Sequence, residues 1–277
     1  MSTDLGDFLR SRRARIQPEE LGLQAFGRRR VPGLRREEVA QLAGVSVDYY
    51  IRLEQGRGQS VSDAVLDAVA RVLRLDEVEQ AHLRDLARPH KQEERPRTAQ
   101  QRVRPGARLL VESVSGPAFL LGRCMDVLAW NPMGDAVLGF SGRDDRTRNQ
   151  ARDAFLNPAA REFYLDWQAV AAETVAYLRL EAGRRPRDKR LAELVGELSL
   201  RSEEFRRLWA DHQVKEKTYG VKRMLHPVVG RLDVGYETLA MPGDPDLLLV
   251  VYTAEPGSEA AEKLAVLASW TAAPSLG

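Results

Sequence analysis

The stretch LRREEVAQLAGVSVDYYIRLEQG, Leu34 to Gly56, constrains this chain more than any other. Its spacing predicts a first helix from Arg35 to Ala43, with Val39, Leu42 and Ala43 at helical intervals and Leu34 just before them. Gly44 stands where a helix can end with positive φ at no steric cost, and Val45 plugs the turn. Ser46 suits the N-cap of a second helix, and Asp48 places negative charge in its first turn. Tyr50, Leu53 and the stem of Glu54 then face inward, which leaves Val47, Asp48, Ile51 and Arg52 pointing away. Two short helices across a Gly-containing turn can set the second in a DNA major groove. There Val47 would meet a thymine methyl, Asp48 would accept from a cytosine amine, and Arg52 would reach guanine or phosphate. A plain helical hairpin has the same turn, so the surrounding charge has to decide.

That charge is uneven. The 277-residue chain carries a net +2, yet from Arg10 to Arg57 eleven arginines face six acids. A cationic surface of this kind attracts phosphate through counterion release. Between two glycines lie Arg28, Arg29 and Arg30, which no core can absorb; beside a helix-turn-helix they read as phosphate or minor-groove contacts. Arg35, Arg36, Tyr49 and Arg57 complete the expected DNA-binding set. The length suffices for two domains. A single cysteine, Cys124, excludes an internal disulfide and suits a reducing cytoplasm. With no secretory signal and no apolar run near the ~20 residues a membrane span needs, the expectation is a cytoplasmic protein without a membrane partner.

Around the turn, the periodicity predicts further helices. Asp4 to Ile16 buries Leu5, Phe8, Leu9 and Ile16 and leaves Arg10, Arg12, Arg13 and Arg15 mostly outside. Ser62 caps a helix to Leu73, and Glu77 to Ala87 forms another. The result is an all-α bundle over residues 1–88. On these residues, GRRRVPGLRREEVAQLAGVSVDYY-RLEQGR above all, the chain resembles the Cro/repressor-type (Xre-like) helix-turn-helix family. The resemblance implies that Arg35 and Arg36 hold phosphates, that Val47, Asp48 and Arg52 face bases, and that Tyr50 belongs to the core.

Residues 89–106 read as a linker, with prolines, charges and no apolar periodicity. From Ala107 to 277 the pattern is mixed. Ala118–Leu121 and Met125–Trp130 read as short strands, and Asn131-Pro132 as an N-cap with proline at the first helical position, a device repeated at Asn157-Pro158. A long helix follows Pro158 to Gly183; others pass through Leu191 to Leu198 and, capped by Ser202, through Phe205, Trp209 and His212 on one face. Leu232, Val234, Tyr236 and Thr238 alternate with polar residues, and Leu247 to Tyr252 is apolar throughout, as in a central strand. The expectation is an α+β domain, an antiparallel sheet covered by helices on one side. The segments DVLAWNPMGDAVLG, RNQARDAFLNPAAREFYLDWQAVAAETVAYLR, LVGELSLRSEEFRRLWADHQV and HPVVGRL…YETL…VVYTAEPGS resemble the ligand-binding domain of MmyB-like regulators. That resemblance implies a PAS-like fold and a small hydrophobic ligand, a fatty acid.

A fatty-acid pocket needs apolar walls and a cation or donor for the carboxylate. Candidate walls are Phe119, Trp130, Phe155, Trp167, Phe205, Trp209 and Tyr236, all of which equally suit plain core packing. Candidate carboxylate partners are Arg148, Asn149, Arg161, Arg201 and His212. No nucleophile-elbow pattern or phosphate-cradling glycine loop is present, and four separated histidines with one cysteine give no metal-ligand cluster, so neither an enzyme, a cofactor nor a metal is expected. The reading is a transcription regulator that binds duplex operator DNA as a homodimer and senses a small hydrophobic ligand. The alternative is a DNA-binding regulator whose C-terminal domain docks a protein and takes no small ligand.

Overall fold

The computed structural model describes residues 4–23, 33–56, 61–88 and 103–272. They form two compact units. One comprises residues up to 93 together with 179–188 and 207–216; the other comprises 94–178, 189–206 and 217–277.

The helical unit holds α1 (Asp4–Arg13), a 3-10 turn at Pro18–Leu21, α2 (Arg36–Ala43), α3 (Val47–Glu54), α4 (Asp63–Val72) and α5 (Glu77–Ala87). Capping follows the sequence. The Ser46 hydroxyl accepts from Tyr49 N at 3.2 Å, and Ser62 and Asp76 cap α4 and α5 in the same way. Gly44 closes α2 in the left-handed region at φ 69°. Leu5, Phe8, Leu9, Leu34, Val39, Tyr50, Leu53, Leu66, Val69 and Leu83 make one core, joined by Leu180 and Val214. Two expectations change. Leu42 is 40 % exposed, because the inward stripe of α2 runs through Val39 and Ala40. Arg12, expected outside, is buried: its guanidinium lies 4.5 Å from the Phe8 ring and donates to His212 O at 2.7 Å.

The second unit is built on a five-stranded antiparallel sheet in the order β2-β1-β5-β4-β3, with β1 (Ala118–Gly122), β2 (Val127–Trp130), β3 (Tyr219–His226), β4 (Gly230–Ala240) and β5 (Leu247–Thr253). This is the PAS-like α+β architecture the resemblance implied. The apolar run of β5 takes the centre, where both faces are covered. Register sets the two faces. Phe119 pairs with Val250, Tyr236 with Tyr252 and Lys222 with Val234 on the inner face. Leu120 pairs with Leu249 on the other.

The helices are α6 (Pro105–Ser113), α7 (Pro132–Leu138), α8 (Gln150–Leu156), α9 (Ala160–Phe163), α10 (Trp167–Arg184), α11 (Lys189–Arg201), α12 (Glu203–Ala210) and α13 (Glu259–Ala272). They do not all lie on one side, as the sequence suggested. Ala107 and Val111 of α6 pack on Ala118, Leu120, Ala129 and Leu249, the face opposite Phe119. Nor is the helix after Pro158 continuous. Tyr164 leaves it to bridge Met224, and Leu165 N donates to Arg223 O at 2.9 Å, so the segment covers part of the β3 edge before α10 begins.

Candidate DNA-reading helix and ligand cavity

Helix α3 is held by a buried carboxylate. Glu54 is 1 % exposed and accepts from Arg13 Nε at 3.0 Å and from Arg36 Nε at 2.6 Å, which ties α1, α2 and α3 together. The bond from Glu54 holds the Arg36 guanidinium more firmly protonated than usual. Arg13 also donates to Leu34 O at 2.6 Å, while Leu34 N returns a bond to Arg13 O. Gly33 is required for this approach: with φ 72°, a Cβ there would lie 2.3 Å from Arg13 O.

With Tyr50, Leu53 and Glu54 buried, the outward face of α3 presents Val47, Asp48 and Arg52, all exposed, and the half-buried Tyr49. Arg35, half-buried, sits at the N-cap of α2, where its N–H donates to the Glu38 carboxylate at 2.7 Å. Arg36 is exposed at 44 % although one nitrogen is spent on Glu54. Arg28, Arg29, Arg30 and Arg57 lie outside the described residues.

The helical unit also holds a buried histidine, His82, and a half-buried one, His212. His82 packs edge-on against Phe8, with ring centroids 5.1 Å apart, and Gly183 is its floor: a Cβ there would lie 2.4 Å from the imidazole. His212 accepts at Nδ1 from Arg179 at 3.1 Å, since arginine can only donate, so its proton sits on Nε2. Burial, then the charges of Arg179 and Arg12, push the His82 pKa down to about 3; burial and Arg179 push His212 down to about 4. Both imidazoles are neutral in the folded protein at pH 7. Their folded values lie below the unfolded value of about 6.5, so stability is full above that pH and is lost as pH falls towards the folded values. His82 alone is expected to withdraw about 2–3 kcal/mol by pH 4.5. Urea unfolding at pH 7 and 4.5 checks this, with His82→Phe losing less stability between the two pH values than the parent does.

In the second unit a cavity of about 20 Å³ lies between the inner sheet face and the helices, room for about one water. Its walls include Phe119, Ala154, Val170 and Val250; its polar lining includes Tyr164, Glu173, Lys217, Lys222, Tyr236 and Tyr252. Lys222 is 7 % exposed, and its Nζ is 2.9 Å from Glu173 Oε2. The Tyr236 hydroxyl donates to the same oxygen at 3.4 Å, and its ring lies 4.9 Å from Lys222 Nζ. Gly220 makes room for that ring, since a Cβ would meet it at 2.9 Å. Burial, then Glu173, pushes the Tyr236 phenol up to about 12; burial also raises Tyr164 and Tyr252. All three are therefore hydroxyl donors at neutral pH.

Of the candidate ligand residues, Phe119 and Tyr236 line this cavity. The others serve elsewhere. Trp130 stacks with Phe140 and under Arg148, which pairs with Asp145. Asn149 is buried and spent: its amide donates to Cys124 O at 2.7 Å and Asp126 Oδ1 at 3.1 Å, and its oxygen caps α8. Phe155 packs on Trp167 and Phe205; the Trp167 indole donates to Ala154 O, and Arg161 lies over its ring at 3.7 Å. Arg201 is exposed and paired with Glu197. Trp209 and His212 belong to the helical unit, where Arg179 stacks on Trp209. His212 does not share the face of α12 at all: the helix ends at Ala210, and His212 takes φ 52° beyond it. The sequence reading missed Lys222 and Glu173. The available signal was parity, since Lys222 alternates in phase with Met224 and His226, both buried.

Residues 4–83 match a family described as helix-turn-helix domain. Residues 103–267, more than half of the chain, match the family described as MmyB-like transcription regulator ligand binding domain. The chain belongs to that MmyB-like family, with a helix-turn-helix domain ahead of the ligand-binding domain. No curated protein matches it.

Proposed function

We propose that this MmyB-like regulator reads duplex operator DNA with α3 and changes its DNA affinity when a fatty acid or a similar amphipathic acid enters the cavity of its second unit. The functional domains are residues 1–88 for DNA, 89–106 as connection and 107–277 for the ligand. The observation that carries the DNA half is the two-sidedness of α3: Tyr50, Leu53 and Glu54 buried, Val47, Asp48 and Arg52 outward. A single recognition helix reads few base pairs, so the working form is a homodimer on a two-fold site. The ligand half rests on apolar walls beside a buried lysine, the chemistry that takes an acid with an apolar tail. Coupling requires the acid to favour one arrangement of the chain over another. Helix α10, which carries Glu173, is continuous to Arg184 and supplies residues to both units.

Arg52→Ala is expected to weaken operator binding by ~1–3 kcal/mol and to relax specificity at one position, while Arg35→Ala weakens operator and random duplex alike and lowers the salt slope. Fluorescence titration of both duplexes at several salt concentrations separates the two. Operator and random DNA bound by Arg52→Ala as by the parent would remove α3 from the interface, and the same result for Arg35→Ala would remove the start of α2 from the phosphate contacts.

The docking alternative draws on Tyr219, Val221, Leu225 and Leu239, exposed apolar side chains on the outer face of β3 and β4. It requires the second unit to bind no acid.

A further inference from the structure

The cavity lining carries a resident carboxylate where an acid ligand would place its own. Lys222 is held on a strand, its side chain 8 % exposed, and cannot reach water without leaving the sheet face. Glu173 is on the helix opposite, its side chain 30 % exposed, and a rotation about its flexible stem takes its carboxylate out to solvent. A buried ammonium left without an anion is strongly unfavourable, so Lys222 keeps one carboxylate or the other. Lys217, Lys222 and Glu173 sum to one net positive charge around the cavity, which favours an anionic occupant over a cationic one. Phenols at Tyr164, Tyr236 and Tyr252 add hydroxyl donors suited to a carboxylate.

We infer that the ligand enters by carboxylate exchange: its acid group takes Lys222 and the Tyr236 hydroxyl from Glu173, Glu173 turns outward, and the lining side chains part to admit the tail, since the resting cavity has room for about one water. Glu173 is thus an internal competitor that sets the threshold for the acid, and its release is the first change on α10. No bond to carbon is made or broken; one ionised carboxylate replaces another on the same ammonium. This rests on the acid-sensing reading above and specifies its regulation. An amine would instead have to pair with Glu173 and strand Lys222, which the burial of Lys222 opposes.

The test is calorimetric titration of the full chain with octanoate, with octylamine and 1-octanol as comparison ligands, on the parent, Glu173→Gln, Glu173→Asp and Lys222→Met. Octanoate is expected to bind Glu173→Gln at least tenfold more tightly than the parent. Glu173→Asp, which keeps the charge on a shorter stem, should fall between them and serves if the glutamine variant does not fold. Lys222→Met is expected to lose the preference for octanoate over octanol. Binding of octanoate to the Glu173 variants but not to the parent also supports exchange. Equal octanoate affinity in the parent and both Glu173 variants overturns exchange and leaves the acid-sensing reading standing. A parent preference for octylamine overturns both exchange and the acid-sensing reading. Octanoate binding to none of these proteins overturns the acid-sensing reading itself.

Discussion

Glu54→Gln is expected to cost the helical unit about 3 kcal/mol, since removing one partner of a buried ion pair leaves the other without compensation. The carboxylate satisfies two guanidinium groups at once, and Arg13 is only 11 % exposed. For a unit of this size, such a loss lowers the transition temperature by roughly 12–24 °C. The effect is larger than that of Arg36→Ala, because Arg36 is 44 % exposed and water can take over its role. Glutamine keeps the shape of the side chain, so the difference isolates charge from packing. Differential scanning calorimetry of the parent and the two variants measures it. A loss below about 1 kcal/mol would mean that the three helices are held by their apolar core alone. DNA binding should fall with stability, because the same carboxylate fixes the orientation of α3 on α1 and α2.

Asn131→Ala is expected to cost the second unit about 3–4 kcal/mol, since buried polar groups left without partners cost about 1–3 kcal/mol each. Asn131 is 2 % exposed and uses its whole hydrogen-bonding capacity. Its oxygen accepts from Ala118 N at 3.0 Å and Gly134 N at 2.7 Å; its amide donates to Val114 O at 2.8 Å and Gly116 O at 2.7 Å. One side chain therefore joins the start of β1, the segment before it and the first turn of α7. Asn131→Asp keeps both acceptor roles but sets a carboxylate against two carbonyl oxygens, and should be no more stable than the alanine variant. The neighbouring Gly134 allows the packing, as a Cβ there would sit 2.7 Å from Ala118 O. Urea unfolding followed by tryptophan fluorescence reads all three proteins. Near-parent stability of Asn131→Asp would show that the donor half of the network contributes little.

Much of this was written in local sequence. Ser46, Ser62 and Ser202 announce their caps, Gly44 its left-handed turn, and Asn131-Pro132 the start of α7, because each acts within a few residues. The long apolar run of β5 announces a strand covered on both faces. What stayed hidden depends on distant partners. Arg12 reads as a surface residue until Phe8 and the His212 carbonyl close over it. The break at Tyr164 comes from pairing with Met224 on β3, which no local pattern records. The charged pair of the cavity hid for the same reason: it joins residue 173 to residue 222 across a helix and a strand, whereas Phe119 and Tyr236, expected as walls, do line it. The arginines expected as acid partners, Arg148, Arg161 and Arg201, are occupied with an aspartate, a tryptophan and a glutamate.

The central claim is that acid in the cavity alters DNA binding through α3. The most direct measurement is the affinity of the full chain for a duplex selected by it from a random pool, taken with and without saturating octanoate. The expected result is a selected site with two-fold symmetry, an affinity that octanoate changes at least fivefold, and loss of that change in Lys222→Met while DNA binding itself persists. An affinity identical with and without octanoate, in a protein that binds both ligands, would contradict it.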